Sequence, residues 1–264
     1  MKKKFFSAIA IVLFLFPAMQ AFSQGQLKYG FTAGFNINNV SQDLNTAYME
    51  PEVGGNDLGI DEVELETNMR VGFHAGPVVD YAFTELFGIR AALLFTQKGY
   101  NSYIDYSDDI NMIGVANVNI DIEATGYELV NYLEFPLEAR FRTGDFQAFA
   151  GPYIGLALGG KSVVEGDVEI DGQVMGQPIS ESDEIAEDQS IKPVFGKADP
   201  EDYEDEKPVS AIDFGMNAGI GYKFGSVMVD ARYSLGLGDM IPDDEDEDKQ
   251  FNRVIYFSVS YFLK

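Results

Sequence analysis

The sequence predicts an all-β fold, an eight-stranded, antiparallel, up-and-down transmembrane β-barrel with long acidic extracellular loops. Three observations predict it. Eight segments alternate apolar with small or polar side chains; the connections between them alternate short and long; and the acidic residues concentrate in the long connections.

The chain of 264 residues carries 43 Asp+Glu against 18 Lys+Arg, a formal net charge of −25. It has no Cys, which excludes disulfides, thiolate metal sites, a cysteine nucleophile and a lipidated N-terminal cysteine. The acid excess argues against a nucleic-acid partner, whose phosphates need facing cations. Lys2, Lys3 and Lys4 followed by the apolar run from Phe5 to Phe16, Pro17 and Ala21-Phe22-Ser23 have the layout of a secretory signal peptide over residues 1–23. That apolar run is shorter than the ~20 residues of a spanning helix. The expectation is a cleaved leader, then an outer-membrane barrel domain over residues 24–264.

The strands follow in order. Lys28 to Val40 sets Tyr29, Phe31, Ala33, Phe35 and Ile37 on one face. Asn68 to Ala82 sets Met69, Val71, Phe73, Ala75, Val79 and Tyr81 against Arg70, Gly72, His74, Gly76 and Asp80. Phe87 to Lys98 sets Phe87, Ile89, Leu93 and Phe95 against Arg90, Thr96 and Lys98. Tyr127 to Arg142 opposes Leu129, Leu133, Phe135, Leu137 and Phe141 to Glu128, Glu134, Glu138, Arg140 and Arg142. Phe146 to Gly160, Ala211 to Phe224, Ser226 to Leu237 and the final stretch through Leu263 complete the set, the seventh with the cleanest contrast. A period of two is a strand with two different faces. One face is rich in aromatics near the strand ends, as lipid interfaces require. The other carries Gly and charge unsuited to a dry core, so Arg70, Arg90, Glu128, Glu134, Glu138, Arg140, Asp230 and Arg232 are expected to pair across a narrow lumen.

Short turns fall near Thr84-Glu85, Thr143-Gly144-Asp145 and Gly225-Ser226; long loops span about 41–67, 101–123, 161–210 and 239–250. The long loops hold 35 of the 43 acids and five of the 18 bases, leaving strands and turns near neutral. The run Asp243 to Asp248 reads as a solvated tip, with capture of an extracellular cation as the functional alternative. Asp167-Val168-Glu169-Ile170-Asp171-Gly172 lacks an EF-hand's distal Glu, since Pro178 stands there; Val168 to Val174 reads instead as a small hairpin turning at Asp171-Gly172. The stretch 180–208, acid-rich and aperiodic, is expected to be the most mobile part.

Catalytic patterns are weak. His74, the single histidine, is expected to face the lumen, and Asp80 on its face is six residues away. Glu134 and Glu138 lie ~13 Å apart along one strand, too far for paired acid–base work. No Gly-x-Ser-x-Gly elbow exists. The expectation is no enzyme, with no catalytic, cofactor-binding or metal residue assigned and no cofactor.

The stretches Tyr29 to Asn36, Tyr132-Leu133-Glu134-Phe135-Pro136-Leu137, Gly151-Pro152-Tyr153-Ile154-Gly155, Asp213 to Gly219 and Asp230 to Leu237 resemble the outer-membrane barrels of Bacteroidetes-type bacteria, the "porin family" or PorT-like proteins. The resemblance spans nearly all of the mature chain and implies a barrel in the bacterial outer membrane, inserted by the barrel-insertion machinery; it brings no catalytic motif. The terminal aromatic typical of such barrels is here Phe262, followed by Leu263-Lys264.

Eight strands leave an interior about filled by side chains. The expected function is therefore surface binding, adhesion or a scaffold role through the acidic loops, with a protein or cation as partner. The alternatives are a narrow small-solute or ion channel, a lumen enzyme using His74, and a soluble exported lipid-binding barrel.

Overall fold

A period-two sequence with two unlike faces builds strands, and strands here account for nearly every described residue. The structure is a computed structural model that describes residues 26–43, 52–53, 56–57, 65–112, 116–198, 206–242 and 249–263. The expected signal peptide and the run Asp243 to Asp248 lie outside the described residues.

The strands are β1 (Gln26–Asp43), β2 (Glu52–Val53), β3 (Asn56–Asp57), β4 (Leu65–Asn68), β5 (Arg70–Ala82), β6 (Phe87–Ala92), β7 (Leu94–Met112), β8 (Ala116–Thr143), β9 (Phe146–Val174), β10 (Gln177–Val194), β11 (Glu206–Ser210), β12 (Ile212–Phe224), β13 (Val227–Gly236) and β14 (Lys249–Phe262). All but β2 and β3 belong to one 12-stranded sheet. Within it an eight-membered ring runs β1, β5, β6/β7, β8, β9, β12, β13, β14 and closes by antiparallel pairing of β14 with β1, from Gly30↔Phe262 to Asp43↔Lys249. β6 and β7 are one path, parted at Leu93 opposite Pro77, which has no N–H to give the ladder.

The inside–outside alternation holds around the ring. Tyr29, Phe31 and Phe35 on β1, Phe135 and Phe141 on β8, Phe214 on β12 and Phe257 on β14 point outward; Asn36, Glu134, Asp213 and Tyr256 point into the lumen and are fully buried or nearly so. Outward rings pair near the short turns, as Phe87 with Phe141, and again further up, as Phe35 with Phe257.

The long connections depart from expectation. Residues 101–112, 116–123 and most of 161–210, expected as loops, are strands continuing past the ring. β8 has 28 residues and β9 has 29, where a tilted strand crosses a bilayer with about 9–11. β7, β8, β9 and β10 thus form an outer sheet, edged by β4 on β7 and by β11 on β10. The stretch 180–208 is correspondingly ordered over β10, which pairs with β9 from Gln177↔Val174 to Ile191↔Gly160. Its side chains lack a period because they are exposed on both faces, while its backbone is tied regardless. The turn expected at Asp171-Gly172 falls instead at Met175-Gly176, with φ of 53° and 75°. Two successive positive φ values make a hairpin turn whose twist matches the strands.

A bulge divides β9. Asn131 pairs with Gly159 and Tyr132 with Ala157, leaving Leu158 as the extra residue. Gly159, at φ 120°, takes the backbone conformation this requires. Below the bulge odd residues of β9 face the lumen; above it even ones continue that side.

Candidate functional site

The lumen is built by inward positions of every ring strand. Lys98 of β7 lies at 2.6 Å from Glu134 of β8 and 2.8 Å from Asp213 of β12, all three side chains essentially without exposure. Asp213 also accepts from Tyr153 and Asn252, and Glu134 from Tyr256. Arg232 spans Glu138 at 3.4 Å and Glu134 at 3.9 Å. Arg90 pairs with Asp230 at 3.6 Å, and Arg140 with Asp80. Buried charges persist when paired, and each of these has a partner of opposite sign.

Six of the expected lumen charges therefore do pair: Arg90, Glu134, Glu138, Arg140, Asp230 and Arg232. Glu128 pairs at the outer rim with Lys207 of β11, at 2.6 Å. Burial alone would lower the Lys207 pKa; the Glu128 carboxylate and Tyr100 override it, and the pKa lies above the ordinary lysine value. Arg70 finds no acid among the described residues; it donates to Asn101 and lies over the Tyr127 ring. The sequence sets Lys98 and Asp80 on the inner face without assigning them as partners, and Asp213 likewise lies inward on β12. Their inward register was the available signal.

His74 is 1% exposed, and its Nε2 lies 3.0 Å from the Ser258 hydroxyl, with its ring edge-on to Tyr256. The two meet over Gly34, which pairs with His74 on one side and with Ser258 on the other. A Cβ on Gly34 would stand 2.8 Å from His74 Cε1. So a hydroxyl does lie within reach of the histidine. A catalytic pair also needs an orienting group on the second ring nitrogen and space for a substrate. His74 Nδ1 has no hydrogen-bond partner, and the cavity beside the pair measures about 20 Å³, room for about one water.

Above the charges the lumen is capped. Val40, Tyr100, Val130, Tyr132, Ala157, Ile191, Val209 and Met240 form one apolar cluster, so β10, β11 and the segment around Met240 close over the ring. Ser210 N donates to Met240 O and Ala211 N to Val194 O, which fixes this cap to the wall.

The outer sheet has two unlike faces. Its lumen-side face gathers Ile104, Ile120, Ile122 and Ala124, with Val164, Val168, Ile170 and Ile185 against them. Its outward face, continuous with the apolar outer wall of the ring, is acidic. Asp105, Glu123, Asp167 and Glu184 stand opposite one another across four adjacent strands, and Asp121 stands opposite Glu169 in the next row. Like charges directly opposite on a sheet repel. No group of three or more acids among the described residues is disposed to hold a metal ion.

A closed ring, an apolar outer wall and a charged, filled lumen specify a barrel made for lipid, and the comparisons decide the family. Residues 21–242 match the model of the outer membrane protein beta-barrel domain. The chain belongs to that family. Membership implies the lipid environment of the bacterial outer membrane. Among solved structures, the chain is similar to Ail, the attachment invasion locus protein of Yersinia pestis, at 13% identity over 89% of this chain and 98% of that one, with a TM-score of 0.32. It is similar to Neisserial surface protein A at 11% identity, 88% and 96% coverage and a TM-score of 0.30. OprG from Pseudomonas aeruginosa gives 12%, 89% and 95%, with a TM-score of 0.30. No curated protein matches the chain significantly.

Proposed function

We propose that the protein is a non-enzymatic, eight-stranded outer-membrane barrel with a side-chain-filled lumen that binds cationic partners at the cell surface. The observation that carries this is the acid row Asp105, Glu123, Asp167 and Glu184 on the outward face of the sheet beyond the ring. Barrels of this kind keep short turns in the periplasm and long connections outside, which puts that face at the surface. The acids are spread along strands rather than gathered round a point, which favours an extended basic segment of a protein over a single metal ion. The filled lumen speaks against a channel, and the one-water space beside His74 and Ser258 speaks against an enzyme. Export through cleavage near Ser23-Gln24, insertion by the barrel machinery and the narrower PorT-like affinity belong to the same reading.

Binding of fluorescent polylysine to vesicles holding the protein tests it. The expected result is binding that weakens steeply with salt and falls at least tenfold in the triple variant Glu123→Gln, Asp167→Asn, Glu169→Gln. Binding indifferent to the triple variant overturns the reading. Planar bilayers separate the channel alternative: the filled-lumen reading expects no large, stable conductance.

A further inference from the structure

The lumen is polarised, and its short-turn end is unbalanced. There the barrel opens as a mouth of about 800 Å³ whose rim includes Phe83, Thr84, Glu85, Leu86 and Arg142. Arg140 and Arg142 both turn to Asp80. Lys28 and Lys223 lie beside each other, close to Arg142 and to that same aspartate. Arg140 and Arg142 thus share one buried carboxylate, with Lys28 and Lys223 beside them, while Glu85 and Asp145 are exposed on the turns. Arg140, with a fully buried side chain, leaves Nε and Nη2 without a hydrogen-bond partner, and Arg142 leaves Nε without one. Buried guanidinium donors with nothing to bond are costly, and Arg142, at the mouth, can offer its own to an anion.

The outer wall at this same end has a second feature. A groove of about 470 Å³ runs between β6, β8 and β9, with Ala139, Ala148 and Ala150 as its floor and Phe83, Phe87 and Phe141 as its sides. Elsewhere the outward positions of β8 and β9 carry Leu133, Phe135, Ile154 and Leu156. The groove and the mouth meet at Phe83, which lines both. Phe141, a side of the groove, is followed in the chain by Arg142 at the mouth, and the Arg142 amide donates to Leu86 of the intervening turn. An apolar slot joined to a cationic rim at the level where a strand leaves the bilayer matches a molecule with an acyl chain and a phosphate.

We propose that the short-turn end of the barrel binds one anionic glycerophospholipid of the adjacent leaflet, with an acyl chain in the alanine-floored groove and the phosphate against Arg142 and Lys223. Soluble phosphate has the same headgroup chemistry, so the test must separate the two sources. The full-length protein in a non-ionic detergent is incubated with equal amounts of phosphatidylglycerol and phosphatidylcholine of the same chains, and lipid adducts are counted by native mass spectrometry. The expected result is a preference for phosphatidylglycerol of about thirtyfold, the scale of two added cations near a headgroup. Arg142→Gln with Lys223→Gln brings the two lipids to parity. Ala148→Phe fills the groove from the lipid side, leaves the cations in place, and lowers retention of both lipids. Heat-dependent mobility on SDS gels checks that each variant folds. If the double variant does not fold, Lys223→Gln alone, outside the Asp80 pairs, carries the charge arm and lowers the preference about fivefold. Parity in the native protein overturns the proposal, as does a preference that survives the charge variants. Loss of the preference on adding inorganic phosphate, with Ala148→Phe unchanged, also overturns it and assigns the mouth to a soluble anion.

Discussion

Replacing Lys98 by Met puts the lumen network to its hardest test. The perturbation removes one ammonium and leaves two carboxylates, Glu134 and Asp213, that it touched at 2.6 and 2.8 Å with no solvent contact. Breaking a buried pair from one side costs about 3–5 kcal/mol, because the remaining charge is uncompensated. The loss is not doubled here. Glu134 keeps Arg232 at 3.9 Å, and Asp213 keeps the Tyr153 and Asn252 donors. A loss of about 3–5 kcal/mol lowers the folded-to-unfolded ratio by roughly a hundred- to several-thousand-fold. Lys161 and Asp188 supply the control. They also lie 2.8 Å apart, but their side chains are 47% and 64% exposed. Lys161→Met is expected to cost less than about 1 kcal/mol. Urea unfolding in lipid vesicles, followed by heat-dependent mobility on gels, measures both. The triple variant Lys98→Met, Glu134→Gln, Asp213→Asn removes the stranded charges and is expected to recover most of the loss. A Lys98→Met penalty below about 1 kcal/mol, or a triple variant no better than the single, refutes the reasoning.

Three further outcomes are expected. Gly34→Ala drives a Cβ into the Phe257 carbonyl oxygen in the β1–β14 seam, so the heat-modifiable folded band should be lost or severely weakened on SDS gels; a stable folded band contradicts the seam geometry. Deleting Leu158 removes the bulge and rotates the outer half of β9, turning Glu165, Asp167, Glu169 and Asp171 toward the apolar face; rapid proteolysis of 161–194 with an intact barrel is expected, and full protease resistance contradicts it. Lys207, its pKa raised by Glu128, contributes stability throughout neutral pH that is lost only as pH rises beyond about 10.4 and through its folded value; protease protection of β11 should therefore be flat from about pH 6 to 9 in the native protein and lower throughout in Lys207→Met.

How far the chain could be read without coordinates varies along it. The ring was legible because burial forces a period of two wherever one face meets lipid and the other a lumen, as in Val229, Tyr233 and Leu235 against Met228, Arg232 and Ser234. The pairings inside it were not. Lys98 and Asp213 are 115 residues apart, and parity says which side a residue faces but nothing of who stands opposite. β10 was missed for a related reason: with both faces exposed, nothing imposes a pattern on Ser180 to Gln189, while the backbone bonds to β9 leave no mark on side-chain type. The bulge at Leu158 was hidden in the glycine-rich end of a strand. Carried past it, the inner-face parity of Gly151, Tyr153 and Gly155 would have assigned Glu165 and Asp167 to the wrong side.

The acidic outward face has a bearing on how such barrels share a membrane. In the orientation proposed above, its charges, which continue the lipid-facing wall, stand sideways over the surrounding headgroups and toward the next protein. Two copies drifting together would bring like-signed flanks into register before their apolar walls could touch. At physiological ionic strength that repulsion reaches about 8 Å, enough to hold a thin annulus of lipid between neighbours and too short to order them at a distance. A polycation or a rise in divalent ions would cancel it, turning a spacer between barrels into a mortar.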